Sequence, residues 1–319
     1  MGALPPGVLR TEETRFARLP QFPYEPHYVS LADQRHGALR MAYVDAGPRA
    51  GPVALLLHGE PTWGYLYRKV IAAVAAAGFR AVAPDFIGFG RSDKLANRAD
   101  YSYEGFVGWL RAFLSALDLR HITLVCQDWG GPIGLRVLTS EPERFDAVLV
   151  ANTLLPNCEP PPAGIAGWPG ELIESWVATA AAANDLPVSG IIASVCRRVP
   201  EPAVLAAYDA PFPDASYKAG VLAFPGLIPI RPDMPGIAEN RRVWTALESW
   251  RKPFLTAFSD GDPTTRAWEP LFQRRIPGAA GEAHIEIAEA GHFLQEEQGE
   301  AIARVLIALL RRVSRTAAR

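Results

Sequence analysis

The chain has 319 residues, of which 49% are hydrophobic and 21% charged, and its formal net charge is −2. This composition is typical of a soluble globular protein, and the balanced charge argues against nucleic acid or an anionic membrane as a partner. Three widely spaced cysteines, an N-terminus without a basic and apolar leader, and the lack of an apolar run of membrane-spanning length predict a cytoplasmic protein without disulfides.

Predicted strands and helices alternate through the first half of the chain. Residues 27–32 and 40–45 alternate in polarity and predict an antiparallel pair of strands. Uninterrupted apolar runs, which are typical of central strands covered on both faces, then recur at 53–58, 79–83, 122–125 and 145–151. Helical segments separate them: one ends at Gly78 and another spans 103–117. The alternation predicts an α/β fold with a mostly parallel sheet flanked by helices.

The alternation stops after Asn152 and resumes about 80 residues later. Residues 154–230 are rich in Pro and Ala, show no strand pattern and carry several Trp and Phe, so they predict an inserted helical cap domain rather than a linker. The core domain is then predicted to comprise residues 1–153 and 231–319. Its second part contains, in order, a helix, a strand, a helix, a strand and a C-terminal helix, at 241–250, 253–259, 268–275, 284–288 and 302–310.

Residues 121–134, HITLVCQDWGGPIG, join a predicted buried strand to a predicted helix through a sharp turn. This layout is typical of a nucleophile elbow, in which the side chain at the turn stands exposed at the end of a strand. The residues two before and two after the nucleophile must be small, and Cys126 and Gly130 meet that requirement. Asp128 stands where such elbows usually carry Ser. Because an isolated Asp after a strand is often a helix N-cap, the interpretation depends on its partners.

Two further polar residues each follow a predicted strand in the second half of the chain. They are Asp262, in FSDGDP, and His292, in EAGHFLQE. The chain order nucleophile, acid, histidine is that of an α/β-hydrolase, and the carboxyl ends of parallel strands are where ligands bind in such sheets. Asp260 is an alternative acid. We prefer Asp262 because it lies a few residues past the strand, directly before a proline.

An aspartate nucleophile predicts displacement at a saturated carbon. A carboxylate is ionised at neutral pH and needs no base, and displacement would leave an alkyl ester on Asp128. His292 is then free to take a proton from the water that attacks this ester, while Asp262 holds the imidazole tautomer. Backbone N–H groups of Trp129 and Glu60 are expected to stabilise the oxyanion. With an ordinary imidazole, activity should fall below about pH 6.5.

The departing group needs hydrogen-bond donors of its own. Trp129 directly follows the nucleophile, and its indole N–H donates without accepting, which suits an anion such as halide that leaves without a proton. A second donor from the cap would complete the halide site. Trp176 is the candidate because it lies on an apolar helical stretch, residues 172–177.

These motifs resemble those of the haloalkane dehalogenases of the α/β-hydrolase superfamily. The similarity covers nearly the whole chain and includes HGEPTWGYLYRKVI, PDFIGFGRSDK, HITLVCQDWGGPIGL, the cap segment YDAPFPDASYKAGVLAFP, FSDGDP and AGHFLQE. The chain looks most like the subgroup whose halide is held by two tryptophans. It is less like the subgroup with Asn after the HG pair, because Glu60 stands there.

The resemblance implies a role for each candidate site residue. It implies that Asp128 is the nucleophile, His292 the general base, Asp262 its acid partner, Trp129 and Trp176 the halide ligands, and Glu60 the residue that helps to place the hydrolytic water. Cap spacing varies in this family, so Trp168 is an alternative to Trp176 as the second halide ligand.

No cofactor and no metal are expected. The six His and three Cys lack the spacing of metal ligands, and GFG at 88–90 lacks the context of a dinucleotide loop. The expected partners are a halogenated alkane, halide ion and water, with no nucleic acid and no membrane, for a monomer or weak homo-oligomer. His58, in the HG pair, is expected to brace the oxyanion loop.

Three other functions compete with dehalogenation. An epoxide hydrolase would share the Asp nucleophile but needs cap tyrosines to protonate the alkoxide, and Tyr208 and Tyr217 are present. Against it, Trp129 suits halide, and Gln127 precedes the nucleophile where epoxide hydrolases frequently carry His. A non-catalytic ligand sensor often lacks the acid or the histidine, and both are here. An esterase is disfavoured because the attacking position lacks Ser or Cys.

Overall fold

The computed structural model describes residues 4–165 and 170–317. Within these ranges, no helix combines the length and the apolar character that crossing a membrane requires.

Ten strands lie in the described part of the chain. In chain order they are β1 (Val8–Leu9), β2 (His27–Asp33), β3 (Gly37–Ala46), β4 (Val53–Leu57), β5 (Arg80–Pro84), β6 (Lys94–Leu95), β7 (Ile122–Asp128), β8 (Phe145–Thr153), β9 (Phe254–Ser259) and β10 (Ile285–Ile287). Eight of them form one sheet in the order β10-β9-β8-β7-β4-β5-β3-β2, and β1 pairs with β6 in a separate two-stranded ribbon.

Ten α-helices accompany them in the same described ranges. They are α1 (Arg68–Ala76), α2 (Tyr103–Ala116), α3 (Gly130–Ser140), α4 (Gly170–Ala182), α5 (Val188–Val195), α6 (Pro202–Asp209), α7 (Ala219–Leu227), α8 (Ile237–Leu247), α9 (Glu269–Arg275) and α10 (Leu294–Ala317). Helix α10 is kinked at Gln298, where φ is −129°.

The main sheet is parallel from β10 through to β5 and antiparallel only at the edge formed by β3 and β2. The apolar runs explain this arrangement, because strands covered by helices on both faces bury every residue. All five residues of β4 are buried, and β7 is buried as far as Gln127. The predicted α/β fold, with its mostly parallel sheet flanked by helices, is therefore confirmed.

Within its described residues, the insertion after β8 contains helices and connecting loops and no strand. Helices α4 to α7 follow one another between β8 and α8, with α4 packed on α7 and α5 on α6. This agrees with the absence of a strand pattern in residues 154–230. The division into a core of residues 1–153 and 231–319 and a cap of 154–230 remains our proposal.

Three elements differ from the prediction. Helix α8 begins at Ile237 rather than at residue 241, directly after Gly236 at φ +96°. Helix α10 begins at Leu294 rather than at residue 302. The sequence pattern did not show this earlier start, because the first turns of the helix carry glutamates instead of an apolar stripe. The β1–β6 ribbon was not predicted, since two residues per strand are too few to show a period.

Candidate active site

Asp128 is held in a strained backbone conformation at the end of β7. Its φ is +48°, a left-handed value that is uncommon for a residue with a side chain. The turn leaves no room for side chains around it: a Cβ on Gly130 would lie 2.3 Å from the Leu57 carbonyl oxygen, and one on Gly59 would lie 2.3 Å from Asp128 Oδ1. The Thr153 hydroxyl also donates to the Asp128 carbonyl at 2.6 Å. These contacts fix the elbow and place the carboxylate beyond the strand.

The structure brings the three predicted catalytic residues together. His292 Nε2 lies 3.6 Å from Asp128 Oδ2, and His292 Nδ1 lies 3.1 Å from Asp262 Oδ2. The imidazole therefore lies between the two carboxylates, with its Nδ1 proton directed by Asp262. The distance to Asp128 exceeds the usual length of an N–H···O bond, so the two side chains are close without being bonded.

Asp262 is buried, and its carboxylate accepts several hydrogen bonds from protein donors. Its carboxylate accepts from Thr264 N–H at 2.9 Å and from the backbone N–H and hydroxyl of Thr265. Burial alone would raise the pKa of Asp262, but the charge and hydrogen bond of His292 and the bonds from Thr265 and Thr264 lower it to about 2. Asp260, the alternative acid, instead forms an ion pair with Arg197 and accepts from Ala290 N–H.

The pKa of His292 is raised rather than ordinary. Burial lowers it, but the negative charges of Asp262 and Asp128 and the hydrogen bond to Asp262 raise it to about 10. In the resting site the imidazole is therefore protonated at neutral pH. The expectation of an acid limb near pH 6.5 used an unperturbed histidine, and this environment contradicts that premise.

Glu60 lies on the loop after β4 and reaches the nucleophile from the other side. Its backbone N–H donates to Asp128 Oδ1 at 2.8 Å, as expected of an oxyanion donor. Burial, and then the charge of Asp128, hold the pKa of the Glu60 carboxyl well above its usual range, although His292 opposes this. A neutral carboxyl can both donate and accept hydrogen bonds, and Glu60 Oε1 has no partner among the described residues.

His58 braces this loop. It is fully buried, its Nδ1 lies 2.9 Å from the Gly59 carbonyl, and its Nε2 accepts from Phe86 N–H at 3.0 Å. Burial lowers the pKa of His58 to about 4, so the ring is neutral with its proton on Nδ1. The ring thus holds the loop that carries Glu60, which matches the role expected for it.

A cavity of about 280 Å³ opens above the carboxylate, between the core and the inserted helices. Its wall is mainly apolar and includes Glu60, Asp128, Trp129, Leu154, Leu172, Ile173, Trp176, Ile191, Ser194, Val195, Ile228, Pro263, Thr264, His292 and Phe293. An apolar pocket with a few convergent polar groups is typical of a small-molecule site. Among the described residues, no cluster of three or more His, Cys, Asp or Glu side chains could hold a metal ion.

Both predicted halide ligands line this cavity. Trp129 is held by aromatic neighbours, with ring centroids 5.3 Å from Tyr103 and 4.8 Å from Phe224. Trp176 lies on α4 and is half-buried. Within the described ranges neither indole N–H forms a hydrogen bond to a protein acceptor, so both are available to a ligand. Trp168, the alternative to Trp176, lies outside the described residues.

The two cap tyrosines, Tyr208 and Tyr217, do not line this cavity. Tyr208 is fully buried and donates to Glu296 Oε2 at 2.6 Å, and neither it nor Tyr217 is part of the cavity wall. The idea that these phenols could protonate an epoxide oxygen is therefore wrong for this arrangement.

Two residues at the site were missed as functional partners. Asn152, at φ +38° near the end of β8, donates to the carbonyl oxygens of Gly291 and His292, both at 3.0 Å. Gln127 contacts the His292 ring directly, with Gln127 Nε2 3.0 Å from His292 Nε2. Gln127 directly precedes the nucleophile, which was the only sequence signal that could have drawn attention to it.

The fold and the elbow define an α/β-hydrolase. A family profile described as the alpha/beta hydrolase fold matches residues 52–176, which include the elbow and Glu60. This range covers β4 to β8 and the start of the inserted helices.

Closer relatives define the family. The chain is 47% identical to a haloalkane dehalogenase of Psychrobacter cryohalolentis, over 94% of this chain and 97% of the relative. It is 46% identical to one of Mycobacterium marinum, over 94% and 98%. A solved haloalkane dehalogenase of Paraglaciecola agarilytica, described as tetrameric, superposes with a TM-score of 0.84 at 39% identity, covering 93% of this chain and 96% of that one. The chain belongs to the haloalkane dehalogenase family, hydrolases that act on carbon–halide bonds.

Proposed function

We propose that Asp128, His292 and Asp262 perform the hydrolysis of haloalkanes to an alcohol, halide and a proton. The observation that carries this proposal is the arrangement at the cavity: a carboxylate, not a hydroxyl, stands at the elbow, with the imidazole 3.6 Å away and two indoles in the same wall. The family membership favours this reaction over epoxide hydrolysis.

In the first half-reaction a carboxylate oxygen of Asp128 attacks the carbon that bears the halogen. A carbon–oxygen ester bond forms while the carbon–halogen bond breaks, and the bonding pair leaves with the halide. The Glu60 backbone N–H donates a hydrogen bond to Asp128 Oδ1 at 2.8 Å, so Asp128 Oδ2 is the oxygen available for attack. The indole N–H groups of Trp129 and Trp176 would bind the departing halide, and no proton moves in this step.

In the second half-reaction water attacks the Cγ carbon of the Asp128 ester. His292 Nε2 takes the water proton, Asp262 stabilises the imidazolium, and the Glu60 N–H stabilises the negative charge on Oδ1. The tetrahedral intermediate then collapses: the bond from Cγ to the alcohol oxygen breaks, the departing alkoxide takes the second proton of the attacking water, and the proton on His292 passes to solvent. One haloalkane and one water thus give one alcohol, one halide and one proton, and the carboxylate is restored.

The raised pKa of His292 fits this order of events. In the resting site two carboxylates hold the ring protonated, with a pKa of about 10. Alkylation converts Asp128 into a neutral ester and removes one of the two charges that raise this pKa. The pKa of His292 is therefore lower once the ester has formed, and a larger fraction of the rings is neutral in the state that needs a general base.

Halide release from a panel of chlorinated, brominated and iodinated alkanes, measured beside diol formation from an epoxide panel, tests the proposal. We expect the wild-type enzyme to release halide and to form no diol from the epoxides, and we expect Asp128→Ala to release no halide. Near-wild-type halide release by Asp128→Ala would remove Asp128 as the nucleophile. Diol formation faster than halide release would instead favour the epoxide reaction.

The cellular compartment and the quaternary state are also proposals. The three cysteines are free, which supports the cytoplasm as the compartment. A monomer or weak homo-oligomer remains the proposed quaternary state, and light scattering on the purified chain tests it against the tetramer described for the Paraglaciecola agarilytica relative.

A further inference from the structure

The Gln127 side chain contacts the base at the nitrogen that must receive the proton of water. Gln127 is fully buried, and its Nε2 lies 3.0 Å from His292 Nε2, which is closer than the 3.6 Å between His292 Nε2 and Asp128 Oδ2. The nearest polar neighbour of that ring nitrogen is thus an amide rather than the nucleophile.

A second contact defines which end of the amide faces the ring. The same Gln127 Nε2 donates to the His292 carbonyl oxygen at 3.3 Å, while Gln127 Oε1 is buried without a partner among the described residues. Exchanging the two amide atoms would set two acceptor oxygens against each other at 3.3 Å. The amide therefore presents N–H donors to both the ring and the carbonyl of the same histidine.

A donor at this position favours one protonation state of the ring. Asp262 accepts a hydrogen bond from Nδ1–H at 3.1 Å, so neutral His292 has its lone pair on Nε2, and the Gln127 amide can donate to it. In the imidazolium, Nε2–H and the amide N–H would be two donors facing each other at 3.0 Å. A hydrogen bond to the neutral form lowers the pKa of a base.

We propose that Gln127 is a positioning residue that keeps His292 Nε2 unprotonated in the alkyl-enzyme by donating a hydrogen bond to it. This inference rests on the proposed roles of Asp128 and His292. The hydrogen bond from the Gln127 amide to His292 Nε2 breaks when Nε2 takes the proton of water. The amide N–H and the new Nε2–H are then two donors in contact, which favours release of that proton after the alcohol has formed.

Gln127 acts against the other charged and titratable groups that face the ring. Asp262 and Asp128 favour the imidazolium, and Glu60 lies beyond Asp128, where burial holds the pKa of its carboxyl well above the usual range. While Asp128 is ionised the two carboxylates dominate. Once Asp128 is an ester, only Asp262 opposes Gln127, so the amide has its largest effect in the intermediate that needs a base.

The test is the pH dependence of alkyl-enzyme decay in Gln127→Met and Gln127→Glu. After mixing with excess 1,2-dibromoethane, rapid quenching and intact-protein mass spectrometry give the decay rate of the adduct at each pH. In Gln127→Met, which keeps the size but loses the donor, the acid limb should move upward by about half to one pH unit. Gln127→Glu should move it further, because it adds a negative charge.

Gln295→Met is the matched control. Gln295 is another buried glutamine, three residues after His292, and its side chain makes no hydrogen bond to the His292 ring in the described residues. A variant that merely loosens this region would lower stability and leave the acid limb in place. An acid limb that is unchanged in Gln127→Met, or that moves equally in Gln295→Met, overturns the proposal.

A measurement that keeps Gln127 covers the case in which these variants fail to fold. Asp128→Asn replaces the carboxylate by a neutral group, as the ester does, and ¹⁵N spectra of labelled histidine report the state of each ring nitrogen. At neutral pH His292 should carry its proton on Nδ1 alone, and finding Nε2 protonated would contradict the inference. Failure of the proposed function itself looks different, because no adduct would then form in the wild-type protein.

Discussion

At the scale of single residues, the proposed chemistry depends on how His292 is charged in each state of the site. Asp262 at 3.1 Å and Asp128 at 3.6 Å raise the pKa of His292 to about 10, and the proposed alkylation of Asp128 would remove one of these charges. Because displacement needs no base, a protonated histidine does not hinder it. Hydrolysis of the ester does need the neutral ring, so the two half-reactions should differ in their response to pH.

We predict that the halide burst is independent of pH between about 6.5 and 9, since His292 stays protonated over this range in the resting enzyme. Ester hydrolysis should slow as pH falls, because fewer alkyl-enzyme molecules then carry a neutral ring. Stopped-flow halide detection and rapid-quench mass spectrometry, run on the same samples, separate the two rates. A burst that falls in parallel with hydrolysis would contradict the assignment of the base to the second step only.

The same raised pKa has a consequence for folding. A histidine whose pKa rises from about 6.5 in the unfolded chain to about 10 in the fold contributes stability that is complete below pH 6.5 and is lost as pH rises through 10. We expect the free energy of unfolding to fall with pH over this range, and to fall less steeply in His292→Gln. Urea unfolding at a series of pH values measures both slopes, and equal slopes would refute the expectation.

At the scale of elements, the turn from β7 into α3 determines where Asp128, the proposed nucleophile, lies. A Cβ on Gly130 would meet the backbone oxygen of Leu57 at 2.3 Å, whereas one on Gly134 would meet the tip of the Leu57 side chain at 2.8 Å. A backbone atom within a central strand cannot move aside, but a leucine methyl can change rotamer.

We therefore predict that Gly130→Ala lowers kcat/KM by about 100-fold, since a displacement of about 1 Å at the nucleophile is enough for such a loss. Gly134→Ala, the matched control on the same helix, should lose much less. Steady-state halide release measures both variants, with circular dichroism to confirm folding. Similar activity in the two variants would show that the elbow tolerates a side chain at residue 130.

Local spacing explains why the elbow and most of the sheet were predictable. Residues 122–128 carry the strand, the turn and the proposed nucleophile within a few positions. Asp262 follows a strand that is visible as an apolar run, and His292 follows a short strand in which apolar and polar residues alternate. The early start of α10 was not predictable in this way. Its first turn is polar because Glu296 forms a buried ion pair, so burial there leaves no apolar pattern.

At the scale of the whole molecule, one buried polar cluster joins the core to the inserted helices. Arg68 of α1 donates two hydrogen bonds to Glu296 of α10, at 2.7 and 2.6 Å, and Tyr208 of α6 donates to the same carboxylate at 2.6 Å. Arg68 and Glu296 are 228 residues apart in the chain. Nothing in the local sequence of either residue indicates such a partner, which is why the contact and its tyrosine could not be inferred without the structure.

We predict that Arg68→Met destabilises the fold by about 3–5 kcal/mol, because it leaves the buried Glu296 carboxylate without its cation. Arg120→Ala serves as the control, since Arg120 and Asp118 are both largely exposed and such pairs contribute about 1 kcal/mol or less. Chemical denaturation of the three proteins at neutral pH gives the comparison. Equal losses in the two variants would mean that the cluster does not stabilise the junction.

The central claim is that Asp128 forms a covalent ester with the substrate and that His292 is required only to hydrolyse it. The most direct measurement is the intact mass of His292→Gln after incubation with 1,2-dibromoethane, followed by peptide mapping. The account predicts one adduct of a bromoethyl group, located on Asp128, together with one equivalent of released bromide and no further turnover. Bromide release that continues without an adduct, or an adduct on any other residue, would contradict it.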